Sequence, residues 1–214
     1  MRSFIIHLSK IDSSFTSAIE TRQSLANIGI DAELFEGTYG NDAVEIFNKE
    51  DRMLHPNIFN LDNFKQSSPG VMGCFYSHYR LWQHCIELNE PIMIFEDDVK
   101  ICRNFHSIEF DDVLVLSINY DWKIIDFLKI YLEETHSLST VVEYNNFHMP
   151  GASGYAINPS AAKKLVDTYK QSYLPADWAI NSNICKITIH PQLIGRSKTM
   201  AEKASLTRLK TWIK

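Results

Sequence analysis

The sequence predicts an α/β fold, a mostly parallel central sheet covered by helices on both faces. Two observations predict it. Short apolar, β-branched runs alternate along the chain with stretches of helical periodicity. The strand-like runs, such as "FII", "IMIF" and "VLVL", are also apolar at consecutive positions, the pattern of strands buried on both sides.

The elements follow in order. "SFIIHL" (3–8) reads as a buried first strand. Ser13 or Ser14 then caps a helix running to about Asn27, with Gly29 as its stop. "DAELFEG" (31–37) alternates and reads as a second strand, and residues 41–53 hold a short helix. Residues 55–69, rich in Asn, Ser and Pro, read as a long loop. From Gly70 to Leu88, Val71, Cys74, Phe75, His78, Leu81, Trp82, Cys85 and Leu88 recur at three- and four-residue spacing, which predicts a strong amphipathic helix. Asn89 and Pro91 end it. Strands are expected at 92–95, 113–118, 141–144, 153–157 and 186–190. Helices are expected from Pro159 to Tyr169, from "LPADWAIN", and over about the last dozen residues.

Composition suits one globular domain over residues 1–214, with 45% hydrophobic and 22% charged residues. A net charge of -5 gives no basic signature for nucleic acid. The charge is uneven, however: the last 29 residues carry seven basic side chains and one acid, Glu202. About 200–214 therefore reads as a basic amphipathic helix. It suits either an anionic membrane surface or a helix packed on the body with its cations in water. The apolar stretch Phe4–Leu8 is too short for a signal-peptide core, and no run reads as a membrane span, so the chain is expected to be cytoplasmic. Among the four cysteines, no Cys/His spacing matches a zinc-site pattern. Cys74 and Cys85, eleven residues apart, read as reduced cysteines on one buried helix face.

The most informative stretch is "PIMIFEDDV" (91–99). An apolar run ends abruptly in Glu96, Asp97 and Asp98, whose charges repel one another. In α/β sheets ligands bind beyond the carboxyl ends of strands. Clustered acids there suit a divalent cation, Mn²⁺ or Mg²⁺, bridging carboxylates to a substrate diphosphate. Glu96 and Asp98, two residues apart, would share one face and hold the metal, while Asp97 would face the other way, toward a ribose hydroxyl. A solvated acidic turn is the alternative.

"GVMGCFYSHYRLW" followed by "PIMIFEDDV" resembles glycosyltransferase family 25, the bacterial lipooligosaccharide glycosyltransferases. The shared pattern is Gly73-Cys74, Ser77-His78, a helix, and an apolar strand ending in Glu96-Asp97-Asp98. "IIHLS", "FEGTYG", "GYAINPSAAKKLVD" and "LPADWAI" extend the likeness over nearly the whole chain. It departs from the family at its first helix, which lacks an arginine-rich opening, and at His7, where Asn is usual.

The resemblance implies a GT-A type, Rossmann-like domain. It implies transfer with inversion of a hexose, typically galactose, from a UDP-sugar to a growing lipid-linked oligosaccharide. Direct displacement needs a stabilised leaving group, a base and orientation. The expected roles are Asp177 as base, Trp178 as a stacking surface for the acceptor sugar, and Glu96 and Asp98 as metal ligands with His190 as a third. Ser9, His78, Asp97, Ser153 and Gly154 would line the donor site. Peripheral association with the cytoplasmic face of the inner membrane is expected of the basic C-terminus. Two other readings use the same residues: a metal-dependent phosphohydrolase, and a carbohydrate-binding protein on a degenerate transferase fold.

Overall fold

The computed structural model describes residues 1–55, 68–101, 109–117, 140–141, 148–149 and 151–196. Its elements are β1 (Arg2–His7), α1 (Asp12–Ala26), β2 (Glu33–Glu36), α2 (Gly40–Lys49), β3 (Met53–Leu54) and α3 (Pro69–Leu88). They continue with β4 (Ile92–Glu96), β5 (Val99–Ile101), β6 (Val113–Ser117), β7 (Thr140–Val141) and β8 (Gly154–Ile157). The last are α4 (Pro159–Thr168), β9 (Ser172–Tyr173), α5 (Ala176–Ala179) and β10 (Ile187–Arg196). The expected loop at 55–69, except at its ends, and the expected C-terminal helix at about 200–214 lie outside the described residues.

The main sheet runs β2-β1-β4-β8-β6-β10-β5, with β7 also paired to β10. β1 is parallel to both β2 and β4, and β6 is parallel to β10. β8 lies in the middle and runs antiparallel to β4 and β6, and β5 and β7 are antiparallel to β10. The α/β class and the Rossmann-like layering are as expected, whereas the sheet is mixed rather than mostly parallel. The reason is physical: β8 is buried at all four positions, so it carries the same apolar signature as a parallel strand. Burial on two faces sets hydropathy and leaves direction open.

Successive residues divide between two cores. Phe4, Ile92, Ile94, Val113, Val115, Tyr155 and Ile157 face the cluster that α2, α3 and α4 complete with Phe47, Trp82 and Leu165. Ile5, Met93, Phe95, Leu114, Leu116 and Ala156 face the cluster completed by Ala18 and Leu25 of α1. This period-two division places Glu96 in phase with Ile92 and Ile94, on the α3 side. Asp97 falls in phase with Met93 and Phe95, on the α1 side.

The helix limits have local causes. Ser68 caps α3, its hydroxyl accepting from Val71 N, and Pro69 opens the first turn. Asn89 ends it in the left-handed region at φ 52°. We expect Asn89→Ala to cost about 1 kcal/mol and Asn89→Gly to be neutral or better in urea unfolding, because only glycine enters that region without strain. α1 starts earlier than expected, at Asp12, with Ile11 rather than a serine as its N-cap residue. Ser14 is inside the helix, where its hydroxyl accepts from Leu8 N at 2.9 Å and donates to the Asp97 carboxylate. β10 continues through Pro191, with a shift of register between Ile189 and Ile194. Among the described residues, no helix is long and apolar enough to cross a membrane.

Candidate active site

The carboxyl end of β4 is flanked by two different neighbours. On one side β1 runs parallel, with Ile6 opposite Glu96 and the chain continuing through His7 to Ser9. On the other side β8 starts there: Gly154 pairs with Phe95, and Glu96 N donates to Ser153 O at 2.9 Å. The rim therefore joins residues far apart in sequence.

Helix α3 crosses above this rim and presents two adjacent pairs of residues, each four apart. Gly73 and Ser77 face the turn between β2 and α2. Ser77 Oγ donates to Gly73 O at 2.7 Å and accepts from Thr38 N at 2.8 Å. A Cβ on Gly73 would lie 2.5 Å from Thr38 O, so only glycine allows that approach. Cys74 and His78 point instead to Glu96. Cys74 Sγ donates to Glu96 Oε1 at 3.8 Å, and His78 Nε2 lies 3.8 Å from the same oxygen. The other carboxylate oxygen, Oε2, accepts from Ser153 Oγ at 3.2 Å. The Gly-Cys…Ser-His motif thus splits into a packing pair and a site pair.

His78 is 1% exposed, and its Nδ1 lies 2.9 Å from the Tyr155 hydroxyl, which also accepts from Trp82 Nε1 at 2.8 Å. This chain fixes the imidazole ring against the sheet. Burial pushes the Cys74 thiol well above its ordinary range, and the charges of Glu96, Asp177 and Asp97 push the same way. The cysteine is therefore a neutral thiol surrounded by carboxylates. Asp177, in the first turn of α5, belongs to that group.

Asp97 is on the other face of the strand end, as the alternation required. Burial, helped by the charges of Asp98 and Glu96, pushes its carboxyl up to about 7 against the hydrogen bond from Ser14. Thr21 Oγ1 donates to Asp97 O at 2.8 Å, so α1 holds the acidic turn by two hydroxyls. Asp98 is buried at 6% exposure.

The remaining expected residues are spread around this centre. Ser9 is exposed beyond β1, its N–H donating to Glu36 Oε1 at 3.1 Å. Burial pushes the Glu36 carboxyl up, and hydrogen bonds from Ser9 and Tyr39 outweigh it and hold it below its ordinary value. Trp178 is partly buried, its carbonyl accepting from His148 Nδ1 at 3.2 Å. The His190 side chain lies outside the described residues, although its backbone is in β10.

A match to the family model "Glycosyltransferase family 25 (LPS biosynthesis protein)" spans residues 4–180, taking in every element from β1 to α5. The chain belongs to glycosyltransferase family 25. Two Haemophilus influenzae proteins are similar. The lipooligosaccharide biosynthesis protein lex-1 is 26% identical over 137 residues, which is 56% of this chain and 43% of that protein. A putative glycosyltransferase is 29% identical over 133 residues, 58% of this chain and 44% of that protein. The chain thus spans less than half the length of these curated relatives.

Membership in the family makes the metal question concrete. Mg²⁺ and Mn²⁺ favour oxygen donors. Among the described residues, the groups that converge on Glu96 Oε1 are a thiol and an imidazole. The expected set, Glu96 and Asp98 with His190 as a third, is mainly oxygen, and Glu96 and the buried Asp98 stand together where β4 ends; the chemistry considered next is written for the chain's own side chains.

Cys74, Ser14 and Tyr155 are the site residues that sequence reasoning missed. The signal for Cys74 was present: Cys-x-x-x-His within a helix places both side chains on one face.

Proposed function

We propose that this family member transfers a hexose, galactose in the first instance, from a UDP-sugar to a lipooligosaccharide acceptor with inversion. The observation that supports the reading most directly is the cluster of acids where β4 ends, with Glu96 against Cys74 and His78 and with Asp97 and Asp98 next in the chain. Sheet ends of this kind are where α/β proteins bind nucleotides.

In this reading the donor enters over the carboxyl ends of β1 and β4. Ser9 and Lys10, which follow β1, meet the nucleotide. Lys10 Nζ is 5.2 Å from the centre of the Tyr39 ring, a cation held over an aromatic face and able to meet a diphosphate. Asp97 takes a ribose hydroxyl alongside its bond to Ser14. Glu96, oriented by Ser153, accepts from a hydroxyl of the donor sugar, with Gly154 letting that sugar approach the backbone. Asp177 takes the proton of the acceptor hydroxyl as the new glycosidic bond forms and the UDP–sugar bond breaks. Trp178 beside it offers a ring face for the acceptor sugar. A lipid-linked acceptor would place the protein at the inner leaflet, where the basic C-terminal segment adds attraction for anionic headgroups.

The test is a panel of UDP-sugars with a truncated lipooligosaccharide acceptor, run with and without EDTA. UDP-galactose is expected to be consumed selectively, and Asp177→Asn to lower transfer by about 10²–10⁴-fold. Absence of turnover with every donor would remove the transferase reading and leave a sugar-binding protein.

A further inference from the structure

We propose that Cys74, His78 and Glu96 form a three-ligand site for a borderline divalent metal of the Zn²⁺ class, with no fourth ligand among the described residues. The inference rests on side-chain geometry and holds whether or not the transferase reading is right.

Three different donor atoms converge. Cys74 Sγ, a His78 ring nitrogen and a Glu96 carboxylate oxygen all lie within 4.8 Å of one another. Ideal tetrahedral bonds to sulfur, nitrogen and oxygen would set the pairs involving oxygen about 3.3–3.5 Å apart. Both Glu96 distances are 3.8 Å, so each needs to close by only about 0.5 Å or less. The Cys74–His78 pair, within 4.8 Å, would close by up to about 1.2 Å to reach the same geometry.

A second observation points to a ligand independently of the spacing. His78 Nε2 is buried and has no hydrogen-bond partner, yet it is aimed at Glu96 Oε1. A buried ring nitrogen left so is costly unless something else occupies its lone pair.

The groups behind the three ligands are those a metal site requires. Ser153 holds Glu96 Oε2, leaving Oε1 directed at the thiol and imidazole. Tyr155 Oη stands at His78 Nδ1; with the proton on Nδ1, Nε2 turns its lone pair into the cluster. Metal entry releases the Cys74 proton to solvent. Thiolate and carboxylate then balance the charge of the ion, leaving a neutral cluster. A sulfur–nitrogen–oxygen set selects Zn²⁺ or Co²⁺ over Mg²⁺. With three ligands from the described residues, the arrangement suits a fourth oxygen from water or a phosphate.

The test uses the full chain, stripped with a chelator and titrated with Co²⁺ in the absence of any sugar nucleotide. The expected result is a thiolate-to-cobalt charge-transfer band with a tetrahedral visible spectrum. It should saturate at one ion per chain, be bleached by Zn²⁺ and be unmoved by excess Mg²⁺. Cys74→Ser should abolish the band and His78→Gln should weaken binding by at least about 100-fold, with circular dichroism confirming that both variants fold. Cys102→Ser should retain the band. No band in the wild type, a band that survives Cys74→Ser, or displacement by Mg²⁺ would each overturn the proposal. Because no donor or acceptor is present, these outcomes are separate from failure of the UDP-sugar panel.

Discussion

Gly73→Ala is expected to destabilise the protein by about 3 kcal/mol, lowering the urea midpoint and reducing the melting temperature by roughly 6–12 °C. The added methyl would sit 2.5 Å from Thr38 O, 3.1 Å from Gly40 N and 3.3 Å from Gly40 Cα, all of them backbone atoms. Backbone here has little room to move. Thr38 N is held by Ser77 Oγ, and Gly40 is itself so close to Pro69 that a Cβ on it would lie 2.7 Å from Pro69 C and O. Two glycines therefore set the separation between the start of α2 and the first turns of α3. Relief by moving α3 outward would break the Thr38–Ser77 hydrogen bond and draw Cys74 and His78 away from Glu96. Loss of stability and loss of activity should accordingly appear together. A midpoint unchanged within 1 kcal/mol would show that the helix moves more freely than its contacts indicate.

Glu96→Gln separates the two properties in the opposite sense. Transfer from the UDP-sugar is expected to fall by at least about 100-fold, while the urea midpoint stays level or rises. The substitution keeps the shape of the side chain and an oxygen for Ser153, but removes one of three adjacent negative charges. Asp97, whose carboxyl the neighbouring acids help push up to about 7, gains from that removal. A protein selected for stability alone would not place Glu96, Asp97 and Asp98 together, which is why their cost argues for a ligand. Measuring donor turnover and unfolding on the same preparation decides the matter. Full activity with raised stability would remove Glu96 from the reaction.

The sequence carried the layers of this fold clearly, because burial leaves a direct trace in side-chain type. Runs such as Ile92–Phe95 and Val113–Leu116 are apolar at every position because helices cover both faces, and the long helix after Ser68 shows its period without ambiguity. The direction of β8 left no trace, since "GYAI" buries four side chains whichever way it runs. The acids at the end of β4 were legible as a group, and the alternation that turns Asp97 away from Glu96 followed from strand geometry. The partners of those acids were not. Ser14 reads as a helix cap and Cys74 as core, because their roles depend on which strand end each helix crosses, a tertiary fact. Zinc patterns are built from sequence neighbours, whereas the thiol's companion Glu96 arrives from a different element.

The antiparallel insertion of β8 also governs how the protein comes into being. On the ribosome, β1, α3 and β4 are complete long before residues 153–157 appear. Until then β4 is an open edge, with Ile92–Phe95 offering unpaired backbone and apolar side chains to any passing strand. The nascent chain must pass through that exposed stage before β8 closes over it. The same event delivers Ser153 to Glu96, and Asp177 follows about twenty residues later in synthesis. Closure of the β4 edge by β8 therefore precedes the synthesis of Asp177. A chain that stops short of residue 153 leaves the β4 edge open and Glu96 without its bond from Ser153.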